Sequence, residues 1–147
     1  MKILVFGRDD LSKLQDIANP YVWIGVCDSC NFLPKLMNDN CVAHVVLKFD
    51  DIEQPTDGMV MMSDEHAMAI ALLLETHKHN FNTVVVSCEA GISRSSAIAA
   101  AMGLFFNGTR GEFVNTYSSP YIPNRHVFNK MIGAIRETFP WWRCCES

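Results

Sequence analysis

Residues 84–96 constrain this chain more than any other stretch. Val84, Val85 and Val86 are consecutive β-branched residues, stiff at χ1 and suited to an extended strand. A short loop with one glycine, Gly91, comes next, and residues 97–106 then run through alanine, methionine and leucine, strong helix formers. The order is strand, tight loop and helix start. The loop holds a cysteine, Cys88, and an arginine, Arg94.

A free thiol ionises near pH ~8.5, so at neutral pH it is a poor nucleophile unless its surroundings favour the anion. A loop that wraps onto a helix N-terminus offers unpaired backbone N–H groups and the positive end of the helix dipole, which together favour an anion by about 0.3–2 kcal/mol. Further stabilisation must come from Arg94, whose planar fork of donors grips two oxygens of a phosphoryl group as no lysine can. Gly91 is free to take φ > 0, which lets the backbone N–H groups of Glu89, Ala90, Gly91, Ile92, Ser93 and Arg94 point inward as an anion nest. Ser95 is placed to donate a hydrogen bond to the sulfur when it becomes a leaving group.

Cys88-Glu89-Ala90-Gly91-Ile92-Ser93-Arg94-Ser95 matches the C-x5-R-[S/T] signature, and on this motif the chain resembles the cysteine-dependent tyrosine and dual-specificity phosphatases. The run Phe49-Asp50-Asp51-Ile52 is similar to that of small bacterial and phage-type predicted tyrosine phosphatases. The resemblance implies an α/β fold, a central mostly parallel sheet flanked by helices, and hydrolysis of phosphomonoesters through a phosphocysteine intermediate with no cofactor. Its substrates would be phosphorylated proteins or peptides, phosphotyrosine first and phosphoserine or phosphothreonine under dual specificity. An aspartate upstream of the cysteine serves as general acid in the family. Asp51, 37 residues before Cys88, is the better match and Asp50 the alternative. Chemistry requires such an acid because a phenolate, with a conjugate acid of pKa about 10, leaves poorly without a proton. Pro123-Asn124 resembles the pair before the final helix of many dual-specificity phosphatases, where the asparagine buttresses the phosphate loop; Asn124 is equally an N-cap.

One position departs from the pattern. The family usually carries histidine before the cysteine, and this chain has Ser87, which offers only a hydroxyl hydrogen bond. The thiolate would then be held less firmly and activity would be weaker. A rival of another class follows from the same residue: a phosphopeptide-binding module on a phosphatase fold, binding without phosphate release.

At 147 residues the chain suits one domain spanning 1–147, large enough to bury about two-thirds of its unfolded surface. A net charge of −4 without a lysine or arginine cluster argues against nucleic acid and acidic membrane surfaces as partners, so attraction of phosphate-like anions must be local. No apolar run reaches membrane-spanning length and residues 1–6 are too short for a signal peptide, which points to a cytoplasmic protein with its six cysteines reduced.

Along the chain, residues 1–6 and 21–27 are expected as strands around a helix at 8–18, a βαβ start that favours parallel pairing. Cys27 and Cys30 form a C-x2-C that competes as half a zinc site or a redox pair, but no second ligand pair has the spacing, and two small, partly buried thiols at a strand end account for it. A strand at 41–49 delivers Asp50 and Asp51 to a loop running to Gly58. A helix at 63–79 is capped by Ser63 and is apolar nearly all round in its middle, Ala67 to Leu74, as a buried packing helix is, with His66, His77 and His79 read as surface residues complementing its dipole. A short helix is expected at 111–117 and a last one at 125–139, with Val127, Phe128, Met131, Ile132 and Ile135 inward, Arg125 a candidate substrate contact and Pro140 its stop. Trp141 and Trp142 are expected to cover the core.

Overall fold

β1 (Lys2–Gly7), β2 (Tyr21–Cys27), β3 (Cys41–Lys48), β4 (Thr83–Cys88) and β5 (Val114–Asn115) make one sheet in the order β3-β2-β4-β1-β5. Every neighbouring pair is parallel. The computed structural model describes residues 1–108, 114–115 and 122–140. Strands β2 and β4 are buried along their whole length, which is why their sequences are almost uninterrupted apolar runs rather than alternating ones.

Side chains alternate across the sheet. Val84, Val86 and Cys88 join Val22, Ile24 and Val26 in a core that α1 (Asp64–His77), α2 (Arg94–Asn107) and α3 (Arg125–Thr138) cover. Val85, Trp23 and Cys27 face the other side, against Leu11, Leu14 and Leu33. Helix α2 is buried from Arg94 through Gly103, and its alanines let it lie close to the strands. It stops at Gly108, whose φ of 76° lets its N–H reach back to the Leu104 carbonyl.

Several expected elements change. Residues 8–18 form not an α-helix but a 3-10 helix, Arg8–Asp16. Its buried residues, Leu11 and Leu14, are three apart, the spacing that three residues per turn stacks on one side, while Asp9, Asp10 and Ser12 are weak α-helix formers. Helix α1 is not apolar all round in its setting, because Ala67, Ile70, Ala71 and Leu74 are buried while Leu72 is exposed. His66 does not complement the dipole: its Nδ1 accepts from the Ser63 N–H at 3.0 Å as the Ser63 hydroxyl accepts from the His66 N–H at 3.1 Å. Burial pushes the His66 pKa down, against a smaller opposing pull from Glu65, which keeps the ring a neutral acceptor.

Of the helix expected at 111–117, Val114 and Asn115 instead form β5, pairing with Leu4 and Val5. The free edge of β1 supplies backbone partners that a short helix lacks, so tertiary pairing overrides local preference. The rest of that segment and Trp141 and Trp142 lie outside the described residues. Helix α3 buries Val127, Met131, Ile132, Ala134 and Ile135, with Phe128 only half-buried. Cys27 and Cys30 part company, the first buried and the second exposed, so they are not a matched pair of partly buried thiols. Among the described residues no three His, Cys, Asp or Glu side chains are grouped to hold a metal ion, and no helix is long and apolar enough to cross a membrane.

Candidate active site

The C-terminal ends of parallel strands share one edge, and there the loops after β1, β2, β3 and β4 meet. Gly7 and Cys88 are register partners on β1 and β4, and the Arg8 N–H donates to the Glu89 carbonyl at 3.0 Å, which fixes how the loop leaves the sheet. Gly91, at φ 72°, turns its N–H back to the Cys88 sulfur at 3.2 Å. The sulfur also lies 3.0 Å from the Ser95 hydroxyl, on the first turn of α2. The Ser96 hydroxyl closes the loop from behind, donating to the carbonyls of Ile92 at 2.5 Å and Ser93 at 3.1 Å. Cys88 is thus buried against a hydroxyl and a backbone N–H at the head of a helix, not among hydrocarbon alone.

Arg94 is 4 % exposed, and that burial demands partners for its charge. Its Nη1 donates to the Phe49 carbonyl at 2.7 Å and pairs with the Asp28 carboxylate at 2.9 Å, so the ends of β3 and β2 both hold the guanidinium. Its Nε is buried and has no partner among the described residues. A donor in that state costs free energy unless a ligand oxygen meets it.

The two neighbouring aspartates have different surroundings. Asp50 is buried, and its carboxylate accepts from the Val60 N–H at 2.7 Å, the Ser29 N–H at 3.0 Å and the Ser29 hydroxyl at 2.7 Å. These bonds, that from Val60 foremost, hold its pKa below the usual carboxylate range, with burial opposing and Arg94 helping. Asp51 is exposed and reaches the phosphate loop: its Oδ1 accepts from the Ser93 hydroxyl at 2.9 Å and from Asn124 Nδ2 at 2.8 Å.

Asp50 therefore clasps the base of the loop that carries Asp51. A carboxylate whose folded pKa is depressed contributes stability that is complete above its unfolded value, about 3.9, and is lost as pH falls through the folded value. Asp50→Asn turns an acceptor into a donor facing N–H groups and is expected to cost about 2–3 kcal/mol. Urea unfolding at pH 7 would measure that cost, and the difference from the wild type should shrink below about pH 4.

Asn124 caps α3 and also bonds the loop that follows β4. Its Oδ1 accepts from the Val127 N–H at 3.0 Å and caps α3, while its Nδ2 also donates to the Ile52 carbonyl at 3.1 Å and its own N–H to the Ser93 carbonyl at 3.2 Å. One side chain thereby ties the last helix, the Asp51 loop and the phosphate loop. Arg125 is exposed, and its N–H donates to Glu53 at 3.4 Å.

Ser87 lies on the opposite side of β4 from Cys88. Its hydroxyl accepts from the Trp23 indole N–H at 2.9 Å. That reach crosses Gly25, the register partner of Ser87, where a Cβ would come within 2.8 Å of the indole. A large donor on β2 thus meets a small acceptor on β4, so the strand end before Cys88 is anchored without a histidine.

Sequence reasoning missed residues 28–32. Asp28 holds Arg94, Ser29 holds Asp50, Asn31 donates to Glu89 Oε1 at 3.1 Å, and the Phe32 carbonyl accepts from Arg8 at 2.6 Å. The C-x2-C spacing drew attention to sulfur, whereas the signal lay in the polar residues at the C-terminal end of a parallel strand.

No family model matches the chain, and no curated protein matches it. Solved structures do. Human DUSP28 superposes with a TM-score of 0.60 at 14 % identity, over 95 % of this chain and 94 % of that one. Tk-PTP in its active form superposes with a TM-score of 0.50 at 13 % identity, over 95 % of this chain and 81 % of that one. With the loop from Cys88 to Ser95 at the head of a buried helix, the chain has the fold of the tyrosine and dual-specificity phosphatases.

Proposed function

We propose that the protein is a metal-independent phosphomonoesterase acting on phosphotyrosine in proteins or peptides, with dual specificity as the broader form. The observation that carries this reading is the set gathered on one loop: a buried sulfur beside a hydroxyl and a backbone N–H, and a buried arginine pinned by two partners with its Nε unmatched. Inward N–H groups and the guanidinium would hold the phosphoryl oxygens with phosphorus in line with Cys88. The sulfur attacks phosphorus, the ester bond breaks, and Asp51 delivers its proton to the departing oxygen. In the second step water attacks the phosphocysteine, Asp51 takes a proton from it, and the Ser95 hydroxyl stabilises the leaving thiolate. Asp51 suits this role because it is exposed and already bonded to Ser93 of the loop, whereas the bonds that the Asp50 carboxylate accepts from Val60 and Ser29 tie it into the framework.

The test is turnover of para-nitrophenyl phosphate against pH, with EDTA present. The profile should be bell-shaped, the form expected when catalysis needs one group without its proton and another with it. Asparagine at position 51 keeps an oxygen for Ser93 and Asn124, so the loop geometry survives Asp51→Asn. That variant should lower kcat by about 10²–10⁴-fold and lose the alkaline limb. An unchanged profile would remove Asp51 from the mechanism, and loss of turnover in EDTA would contradict metal independence.

A further inference from the structure

Phe32 is 67 % exposed, yet its backbone is anchored on both sides and its ring has a partner. Its carbonyl accepts from Arg8 at 2.6 Å, its N–H donates to the Asn31 side chain at 2.9 Å, and the Arg8 guanidinium carbon sits 5.8 Å from the centre of its ring. Arg8 and Asn31 also both bond Glu89 Oε1, at 3.4 and 3.1 Å. Glu89 follows Cys88 directly. The Phe32 backbone is therefore tethered through two residues to the position next to the sulfur and its ring lies against Arg8, with Arg8 and Glu89 balancing one another's charge beside it. Ile122, 72 % exposed, is tied to Ile92 of the same loop by its N–H at 3.2 Å. Folding gains little from an exposed phenyl ring, and an aromatic surface held in place suits contact with an apolar ligand.

We propose that Phe32 is a specificity-determining residue whose fixed ring forms a wall at the mouth of the phosphate loop and favours aryl over alkyl phosphomonoesters. The inference rests on the phosphatase reading above. The phenyl group of phosphotyrosine, standing between the phosphoryl group and the peptide, packs against that wall; phosphoserine has no ring to place there. Arg8 positions the wall from behind.

The experiment compares kcat/KM for a phosphotyrosine peptide and for the phosphoserine peptide of otherwise identical sequence, in the wild type, Phe32→Ala and Phe32→Tyr. Phe32→Ala should cut the phosphotyrosine-to-phosphoserine ratio about tenfold, the scale of one lost aromatic contact, and Phe32→Tyr should restore it. Because the side chain is exposed, the alanine variant should keep its fold. An unchanged ratio in an active Phe32→Ala protein overturns the proposal. If the wild type releases phosphate from neither peptide, it is the phosphatase reading that fails; the ratio of dissociation constants for the two peptides then tests the wall, and an equal ratio in wild type and Phe32→Ala overturns it.

Discussion

Replacing Cys88 with serine is expected to abolish release of para-nitrophenol while leaving the protein folded and able to bind a phosphotyrosine peptide. Cys88 is 2 % exposed, and its sulfur lies against the Ser95 hydroxyl and the Gly91 N–H, both of which a serine oxygen can still meet. The change in volume is slight, so the cost in stability is expected to stay below about 1.5 kcal/mol. An alcohol, however, gives up its proton far less readily than a thiol, and its hydrogen-bond partners among the described residues, Ser95 and Gly91, include no general base. A fall in kcat of at least about 10⁴-fold follows, the scale found when a nucleophile is removed from an otherwise intact site. Stopped assays for phosphate, calorimetric peptide binding and thermal unfolding would separate chemistry from recognition and folding. Turnover retained in Cys88→Ser would end the phosphocysteine mechanism.

Arg94→Lys should produce the complementary pattern, weakening both binding and turnover. The guanidinium satisfies the Phe49 carbonyl and Asp28 from Nη1 alone and still has Nε to spend on a ligand. An ammonium is one point of charge on a thinner stem, and no placement of it meets the carbonyl, the carboxylate and two phosphoryl oxygens together. The expected loss in kcat/KM is about 10²–10³-fold, comparable to removing one donor aimed at transition-state charge. Affinity for inorganic phosphate, measured by competition, should fall as well. A lysine variant with normal phosphate affinity would show that the guanidinium fork is not what grips the anion.

The passage from strand to loop to helix at 84–106 was legible from sequence because its information is local: β-branched residues, one glycine and then a run of helix formers. The strands at 21–27 and 84–88 were legible for a related reason, since strands buried on both faces must be apolar throughout. What escaped was set by contacts distant in sequence. Val114 and Asn115 have no local reason to extend, and they do so because the edge of β1, more than a hundred residues earlier, is open. Asp50 and Asp51 are identical side chains in adjacent positions, and nothing in their composition says that one meets Val60 and Ser29 while the other meets Ser93 and Asn124. The Trp23–Ser87 bond was hidden in the same way, because its two partners stand on different strands, 64 residues apart.

The strand order has a consequence for how the molecule comes into being. β1 and β2 are close in the chain, but β4 lies between them, so residues made early have no continuous sheet until the valine strand slides into the middle. Closing that gap joins segments some sixty to eighty residues apart, a slow and entropically costly event. The element inserted to complete the sheet is the one that ends in Cys88. A half-assembled chain therefore has no seat for Cys88, and its thiol comes to lie against Ser95 and Gly91 only in a molecule whose architecture is already whole.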